Sequence, residues 1–334
     1  MNVGDLGEFE LIEWLRRRRL PAAAPERLVV GVGDDAAVWR SGVGYTVATT
    51  DTMVAGVHFL PGVVAWRDVG WKALAANMSD IAAMGGAPAF ALVTLCLPPD
   101  TAVDDIDALY AGLRECADAY GVTVAGGDIV SAPVFAITIA LTGDAAVDAD
   151  GAPLLLRRNA ARIGDAIGVT GPLGGSAGGL RALTDGAPLT DGRLIKRHMR
   201  PQPRTDAGHA AIAAGIRCAI DISDGLVQDL SHVCEASGVG AEVRLDRVPL
   251  DADLAAAYPA DAAIMAATGG EDYELLLIGD EGAIARTGET LGAPLAIIGR
   301  IVEGNAVVRA LDASGAEIEL PSGGWDHFAK EQRT

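Results

Sequence analysis

Apolar residues along this chain follow two rhythms. Some form short β-branched runs; others recur at steps of three and four inside longer stretches. Leu28–Val32, Tyr45–Thr50, Phe90–Leu97 and Val134–Leu141 are short and bounded by Gly, Pro or Asp, which predicts strands. Trp71, Leu74, Met78 and Ile81 recur at helical steps and predict a helix over about 68–84, stopped by Gly85 and Gly86. A second helix is predicted over 103–119, closed by Gly121, and a strand Val122–Ala125 then ends at Gly126–Gly127–Asp128. Residues 7–19 carry Phe9, Ile12 and Leu15 at helical spacing before four arginines, which suits a short helix with cations at its C-terminal end.

A second round of elements follows the acidic, turn-rich stretch AAVDADGA at 145–152. Strands are predicted at Ala166–Thr170, Cys218–Ile222, Ala241–Leu245, Tyr273–Ile278 and Leu295–Ile301, with helices over 204–215 and 224–237. Gly171–Gly179 leads into another helix; it either wraps a phosphate at a helix N-terminus or makes a tight strand-to-helix turn. Val307–Leu311 and Glu317–Leu320 read as a hairpin across Ala313–Ser314–Gly315, and Arg197–Arg204 as a structured turn containing His198. The expectation is α/β (α+β) architecture in two domains, residues 1–150 and 151–334.

The 334 residues are 50% hydrophobic and 21% charged, enough for substantial cores, although aromatics are only 4%. The formal charge of −19 argues against nucleic acid and anionic membrane surfaces as partners. Only three lysines occur, Lys72, Lys196 and Lys330, so a phosphate ligand would need positive potential from another source. None of Cys96, Cys116, Cys218 and Cys234 forms a CxxC pair; they read as free thiols in a reducing compartment. With no signal-peptide pattern at the start and no apolar stretch long enough for a membrane span, a cytoplasmic location is expected.

Acidic clusters at turns and element ends carry the candidate chemistry: Asp34–Asp35, Thr49–Thr50–Asp51, Asn77–Asp80, Gly127–Asp128, and Asp221–Ser223–Asp224. Singly, each Asp reads as a helix cap or turn residue. If the set converges, mutual repulsion demands bound cations, and Mg²⁺ prefers such oxygen ligands together with substrate phosphates. No GxxxxGK[ST] occurs, and GVGDDA at 31–36 lacks the final glycine of a dinucleotide fingerprint. No HExxH and no GxSxG occurs. His58 has either a local structural role or a ligand contact, Glu271 either binds a polar or cationic ligand or sits at a strand edge, and Trp325 either packs or stacks on a planar ligand.

GVGDDAAV at 31–38, TTDTMVAGVHF at 49–59, KALAANMSDIAAMGGAP at 72–88 and AGGDIV at 125–130 resemble the thiamine-monophosphate kinase family. RHMRPQPR at 197–204, AIDISDGL at 219–226, ATGGEDYELL at 267–276 and GGWDHF at 323–328 continue the resemblance in order across nearly the whole chain. It implies ATP-dependent phosphorylation of thiamine phosphate to thiamine diphosphate. It also implies the two-domain aminoimidazole-ribotide synthetase-like fold, an N-terminal mixed sheet forming a dimer barrel, a homodimer, and several Mg²⁺ ions. Carried over, it makes Asp35, Thr49, Thr50, Asp51, Asp80, Asp128, Asp221 and Asp224 metal ligands, with Asp51, Asp80, Asp128 and Asp224 the catalytic acids. Gly127, Asp128, Arg158 and Ser223 become ATP contacts, with Arg157 competing for the place of Arg158, and Asp34 has no assigned role. His58, Glu271 and Trp325 become thiamine-phosphate contacts, since an aromatic ring and a carboxylate suit a cationic thiazolium.

Overall fold

The computed structural model describes residues 12–13, 26–42, 44–185 and 192–321. Of the helix expected over 7–19, only Ile12 and Glu13 lie among them, and both are helical; Trp325 and the segment around it lie outside. The first domain is a mixed six-stranded sheet of β1 (Leu28–Val30), β2 (Ala37–Ser41), β3 (Gly44–Val54), β4 (Ala87–Leu97), β5 (Thr123–Ser131) and β6 (Ala136–Asp144). The strands run in the order β1-β2-β3-β6-β4-β5, and only β4 and β5 pair in parallel. Alternation along each strand sends Val47, Val93, Leu95, Ile137 and Ile139 into one core. Helices α1 (Trp66–Ala83) and α2 (Val103–Tyr120) cover that side. The opposite face leaves Phe90 57% and Leu92 52% exposed.

β5 differs from the expected short strand. It runs on through Gly126–Gly127–Asp128 to Ser131, so the Gly-Gly pair lies inside the sheet rather than ending a strand. Gly127 has a packing reason to be glycine: a Cβ there would stand 1.8 Å from the Val93 carbonyl oxygen of β4.

α1 carries the helix stripe read from its sequence, yet it is buried on nearly every side, including Lys72, Asn77 and Ser79. Its Val69, Leu74, Met78 and Ile81 belong to the first core, while Ala82 and Ala83 join a cluster with Ile212, Ala219, Leu275 and Leu277 of the second domain. Periodicity reports one apolar face; sandwiching between two domains buries the polar face too. α1 and α2 touch backbone to backbone, because a Cβ on Gly70 would fall 1.9 Å from the Leu109 oxygen and one on Gly112 1.6 Å from the Arg67 oxygen.

The second sheet contains β7 (Ala166–Val169), β8 (Cys218–Asp221), β9 (Gly240–Arg244), β10 (Leu275–Gly279), β11 (Ala296–Val302) and β12 (Val308–Leu311). Its order is β12-β9-β11-β7-β10-β8, antiparallel except for β12 with β9. Around it lie α3 (Gly175–Thr184), α4 (Arg193–Met199), α5 (Thr205–Ala214), α6 (Leu226–Ser237), α7 (Ala252–Ala257), α8 (Ala262–Thr268) and α9 (Glu281–Leu291). Leu276 and Ile278 point into one core and Leu275 and Leu277 into the other. Burial on both faces explains why β10 reads as an unbroken apolar run.

One expectation is corrected here and two are refined. The hairpin across Ala313–Ser314–Gly315 is present but short: Leu311 bridges Glu317, the Ile318 N–H donates to the Ala310 carbonyl at 2.8 Å, and β12 pairs along its length with β9. His198 sits on α4, not in a turn. The Gly171–Gly179 segment is a strand-to-helix turn whose helix start is filled from within: the Asp272 carboxylate accepts the N–H groups of Gly174 at 2.6 Å and Ser176 at 3.0 Å. The four cysteines are unbridged, and among the described residues no helix is long and apolar enough to cross a membrane. Replacing Gly112 by Ala should cost about 1–3 kcal/mol of stability in chemical denaturation, because the α1–α2 contact leaves no room for a methyl group.

Candidate functional site

The acids converge where the two domains meet. β3 places Thr49 and Asp51 on its core-facing side, α1 runs past them with Asn77, Ser79 and Asp80, the loop before β2 supplies Asp34 and Asp35, and β8 ends in Asp221. Asp35, Asp80 and Asp221 each bring a carboxylate oxygen within 4.8 Å of the others. The Thr49 hydroxyl donates to Asp80 Oδ2 at 2.6 Å, and the Ser79 hydroxyl donates to Asp221 Oδ2 at 2.6 Å. The Asn77 side-chain oxygen accepts the backbone N–H of Asp51 at 3.1 Å, fixing β3 against α1.

Burial and mutual repulsion favour the protonated forms of Asp80 and Asp221. Asp80 is raised well above the ordinary range by burial, then by Asp51, Asp221 and Asp35, against the Thr49 hydrogen bond. Asp221 is pushed up to about 8 by burial and Asp35, with Ser79 and Arg158 opposing. Arg158 grips Asp35 with both ends of its fork, Nη2 to Oδ1 at 2.7 Å and Nε to Oδ2 at 3.2 Å. Arg157 instead pairs with Asp34 at 3.3 Å. Of the two competing arginines, Arg158 therefore reaches the cluster, and Asp34 holds its neighbour. Asp34 is itself raised by burial and by Asp35. The donor set is three carboxylates and a hydroxyl, all oxygen, which is the chemistry of a hard divalent cation.

Three expected ligands stand elsewhere. Thr50 follows Thr49 on β3 and so faces the other side of the sheet. Asp128 is in register with Thr94, which lies between the inward-facing Val93 and Leu95, so it too faces the uncovered side. Among the described residues no group of three potential ligands includes Asp128. Asp224 forms a separate group with Asp229 and His232. The turn before α6 is organised by Asp229, whose Oδ2 accepts the N–H groups of Ser223, Asp224 and Gly225, each at 3.0 Å. α6 has no side-chain cap from Asp224; Asp229, one turn into the helix, ties down the turn that precedes it.

The expected substrate contacts His58 and Glu271 are close enough for His58 to lower the Glu271 carboxyl electrostatically. The His58 Nδ1 accepts the Val54 N–H at 3.0 Å, which leaves its proton on Nε2. Glu271 and Tyr273 hold left-handed backbones at φ 63° and 52°, anchored by their N–H groups to the carbonyls of Ser223 and Ile222. Tyr273 is buried between Glu271 and the acids, and its hydroxyl is raised well above its usual range by burial first and then by those charges. Lys72, Asp229, Asp272 and Tyr273 carry no role read from the sequence, and Ser79 figures there only as a member of the Asn77–Asp80 cluster. Their signal is faint: Lys72 is one of three lysines and stands between Trp71 and the apolar Ala73–Ala76, and Asp272 and Tyr273 sit in the glycine-led turn noted for Glu271.

Residues 33–145 match the N-terminal domain family of AIR synthase related proteins, and residues 162–312 match the corresponding C-terminal domain family. The thiamine-monophosphate kinase of Salmonella typhimurium is 39% identical over 341 residues, 97% of this chain and 98% of that protein. The thiamine-monophosphate kinase of Bacillus subtilis is 33% identical, across 97% of this chain and all of its own length. The solved structure of AaThiL complexed with AMPPCP and TMP superposes with a TM-score of 0.85 at 32% identity, covering 98% of this chain and 99% of its own.

Carboxyls raised by burial favour the fold at low pH and lose that contribution as pH climbs from the ordinary carboxylate range toward about 8, the value reached by Asp221. Asp80→Asn removes one of the repelling charges. With chelator present it should therefore be more stable than the wild type at alkaline pH, by about 0.5–2 kcal/mol, and the gain should shrink as pH falls toward 5. Thermal melts across that range measure it.

Proposed function

The chain belongs to the thiamine-monophosphate kinase family, and from that premise we propose how its residues divide the work of the reaction. The enzyme transfers the γ-phosphoryl group of ATP to the phosphate of thiamine phosphate, giving thiamine diphosphate and ADP. The observation that carries the reading is the buried convergence of Asp35, Asp80 and Asp221. Together with Thr49 and Asp51 they would hold Mg²⁺. Bound there, the metal supplies screening between two anionic substrates and stabilises charge on the transferring phosphoryl group.

The remaining chemistry is light. A phosphate monoester has its second pKa near ~6, so the acceptor is already mostly dianionic at neutral pH and needs no strong general base. That accounts for a phosphate end built from clustered carboxylates rather than around a general base. Arg158, always charged and preset by its bidentate hold on Asp35, offers a planar fork to phosphate oxygens. Ser223 and Gly127 line the nucleotide. Asp224, grouped with Asp229 and His232, serves a second metal position beside it. His58, through Nε2, and Glu271 contact the thiamine rings, with Trp325 a further ring contact. AaThiL carries AMPPCP and TMP, which supports an adenine nucleotide and thiamine phosphate as the two ligands.

A second copy of the chain covers the open sheet face. Phe90 and Leu92 form an apolar patch with Val130 on β4 and β5, and Asp128 shares that face with Thr94, Thr138 and Thr52. In the homodimer Asp128 then acts from the interface as a metal and nucleotide ligand, which is why one chain alone leaves it outside the cluster. ATP consumption and four unbridged cysteines fit a cytoplasmic enzyme.

Purified protein with ATP, thiamine phosphate and Mg²⁺ should form thiamine diphosphate, and chelator should stop it; nucleotide binding without product would overturn the reading. Asp51→Asn and Asp128→Asn should each lower turnover by about 10²-fold or more while the fold persists. Leu92→Asp should convert the dimer to monomer in sedimentation and lower turnover with it, and an unchanged dimer would place the interface elsewhere.

A further inference from the structure

α1 delivers a second kind of charge to the site, from its interior. Lys72 is 0% exposed. Its ammonium donates to Glu271 Oε2 at 2.8 Å and stands 3.3 Å from His198 Nε2. His198 Nδ1 lies 3.0 Å from the Ser176 hydroxyl and 3.4 Å from Glu271 Oε2. Four side chains from α1, α3, α4 and the 269–274 loop thus meet in one network across the domain boundary.

The chemistry of the partners fixes the protons. Lysine offers only donors, so His198 must present the Nε2 lone pair to it and carry its own proton on Nδ1, aimed at Ser176 and Glu271. Burial and the Lys72 charge both hold His198 down, at about 4, so the ring is neutral near pH 7. The Glu271 main chain is held left-handed by its hydrogen bond to Ser223, and its carboxylate is held at the other end by Lys72. Of the pair, Lys72 is sealed off while 29% of the Glu271 side chain stays open to a ligand. Burying an ammonium is unfavourable, and an apolar side chain of similar volume would pack the helix at least as well. The lysine therefore calls for a reason beyond packing.

We propose that Lys72 and His198 are positioning residues for the cationic end of the substrate: they lock Glu271 in one orientation, as a carboxylate, from which it meets the charged ring of thiamine phosphate. The inference rests on the reading of Glu271 as a thiamine-phosphate contact. The groups facing Glu271 are Lys72 from α1, His198 from α4, His58 from the loop after β3 and Tyr273 from its own loop. Burial works to protonate Glu271; Lys72 opposes it most strongly, followed by His198, and the carboxyl ends below its usual range.

The test compares Glu271→Gln, Lys72→Met, His198→Phe and the Lys72→Met/Glu271→Gln pair, with melting temperatures to confirm folding. KM for thiamine phosphate and for ATP is measured across about pH 5 to 8, where a buried carboxyl freed of its lysine titrates. In the wild type the thiamine-phosphate KM should not respond to Glu271 titration. Lys72→Met should raise it on the order of tenfold, increasingly as pH falls, with the ATP KM within about twofold. Glu271→Gln should raise it without that added pH dependence, and the double variant should be no worse than Glu271→Gln alone. His198→Phe should act in the same direction more weakly, and it carries the test if Lys72→Met does not fold. If Glu271→Gln raises the thiamine-phosphate KM while Lys72→Met and His198→Phe leave it unchanged, or weaken both substrates equally, the positioning role is wrong and the substrate contact stands. If Glu271→Gln itself leaves that KM unchanged in an active enzyme, the contact reading falls instead.

Discussion

Three carboxylates within 4.8 Å of one another, buried at a domain junction, set the terms for everything around them. Two unit charges about 4 Å apart repel by about 4 kcal/mol even at an effective dielectric of 20. Arg158 answers for Asp35, and hydroxyls from Thr49 and Ser79 serve Asp80 and Asp221, but no second cation enters the cluster among the described groups acting on it. The protein accommodates the repulsion by favouring protons on Asp80 and Asp221. A divalent ion would take the place of the protons. The scaffold must therefore be stiff enough to hold acids together that would separate if left to relax.

α1 provides that stiffness. It is a core helix and a site helix at once, with apolar residues on the first sheet, alanines against the second domain, and Lys72, Asn77, Ser79 and Asp80 along the remaining surface. The Gly70–Gly112 contact draws α2 in to backbone distance, so α1 has little freedom to shift. Asn77 ties it to β3, Ser79 to β8, and Lys72 to the 269–274 loop. Through one rigid rod, the clustered acids and Glu271 keep a fixed separation.

Much of this was legible along the chain, for identifiable reasons. β3, β4 and β6 announce themselves because short apolar runs are bounded by Gly, Pro or Asp, and α1 and α2 because apolar residues recur at helical steps and glycines stop them. The acids stood out as a set at element ends. The face each acid occupies was not legible. Thr50 and Asp128 sit one parity step away from the cluster, and parity in β5 depends on a register that shifts between Ala91 and Leu92 of its partner strand. Gly126–Gly127 looked like punctuation and is instead a close approach between strands. Short α4 lacks a long apolar stripe and owes its form to packing, while α9 has Ile284 and Leu291 as its only large apolar markers and starts from the Asp280 cap. Lys72 lies on the side of α1 that periodicity assigns to water, and only the second domain makes that side an interior.

The excess of negative charge, a puzzle for an enzyme that handles two phosphates, fits once the cationic parts of its ligands are counted. A carboxylate-rich site repels phosphates alone and attracts them with their metal ions, so nucleotide and cation arrive as one species of reduced charge. Thiamine phosphate carries its own positive ring at the opposite end from its phosphate. An acid at the ring end and metal-bound acids at the phosphate end would orient that molecule along its dipole, with the phosphate toward the transferring group. On this reading Glu271 must stay ionised for the orientation to hold, whereas Asp80 and Asp221 must be able to trade protons for metal. The structure sets up that contrast with a single difference in surroundings: a buried ammonium stands beside Glu271, and other carboxylates stand beside Asp80 and Asp221.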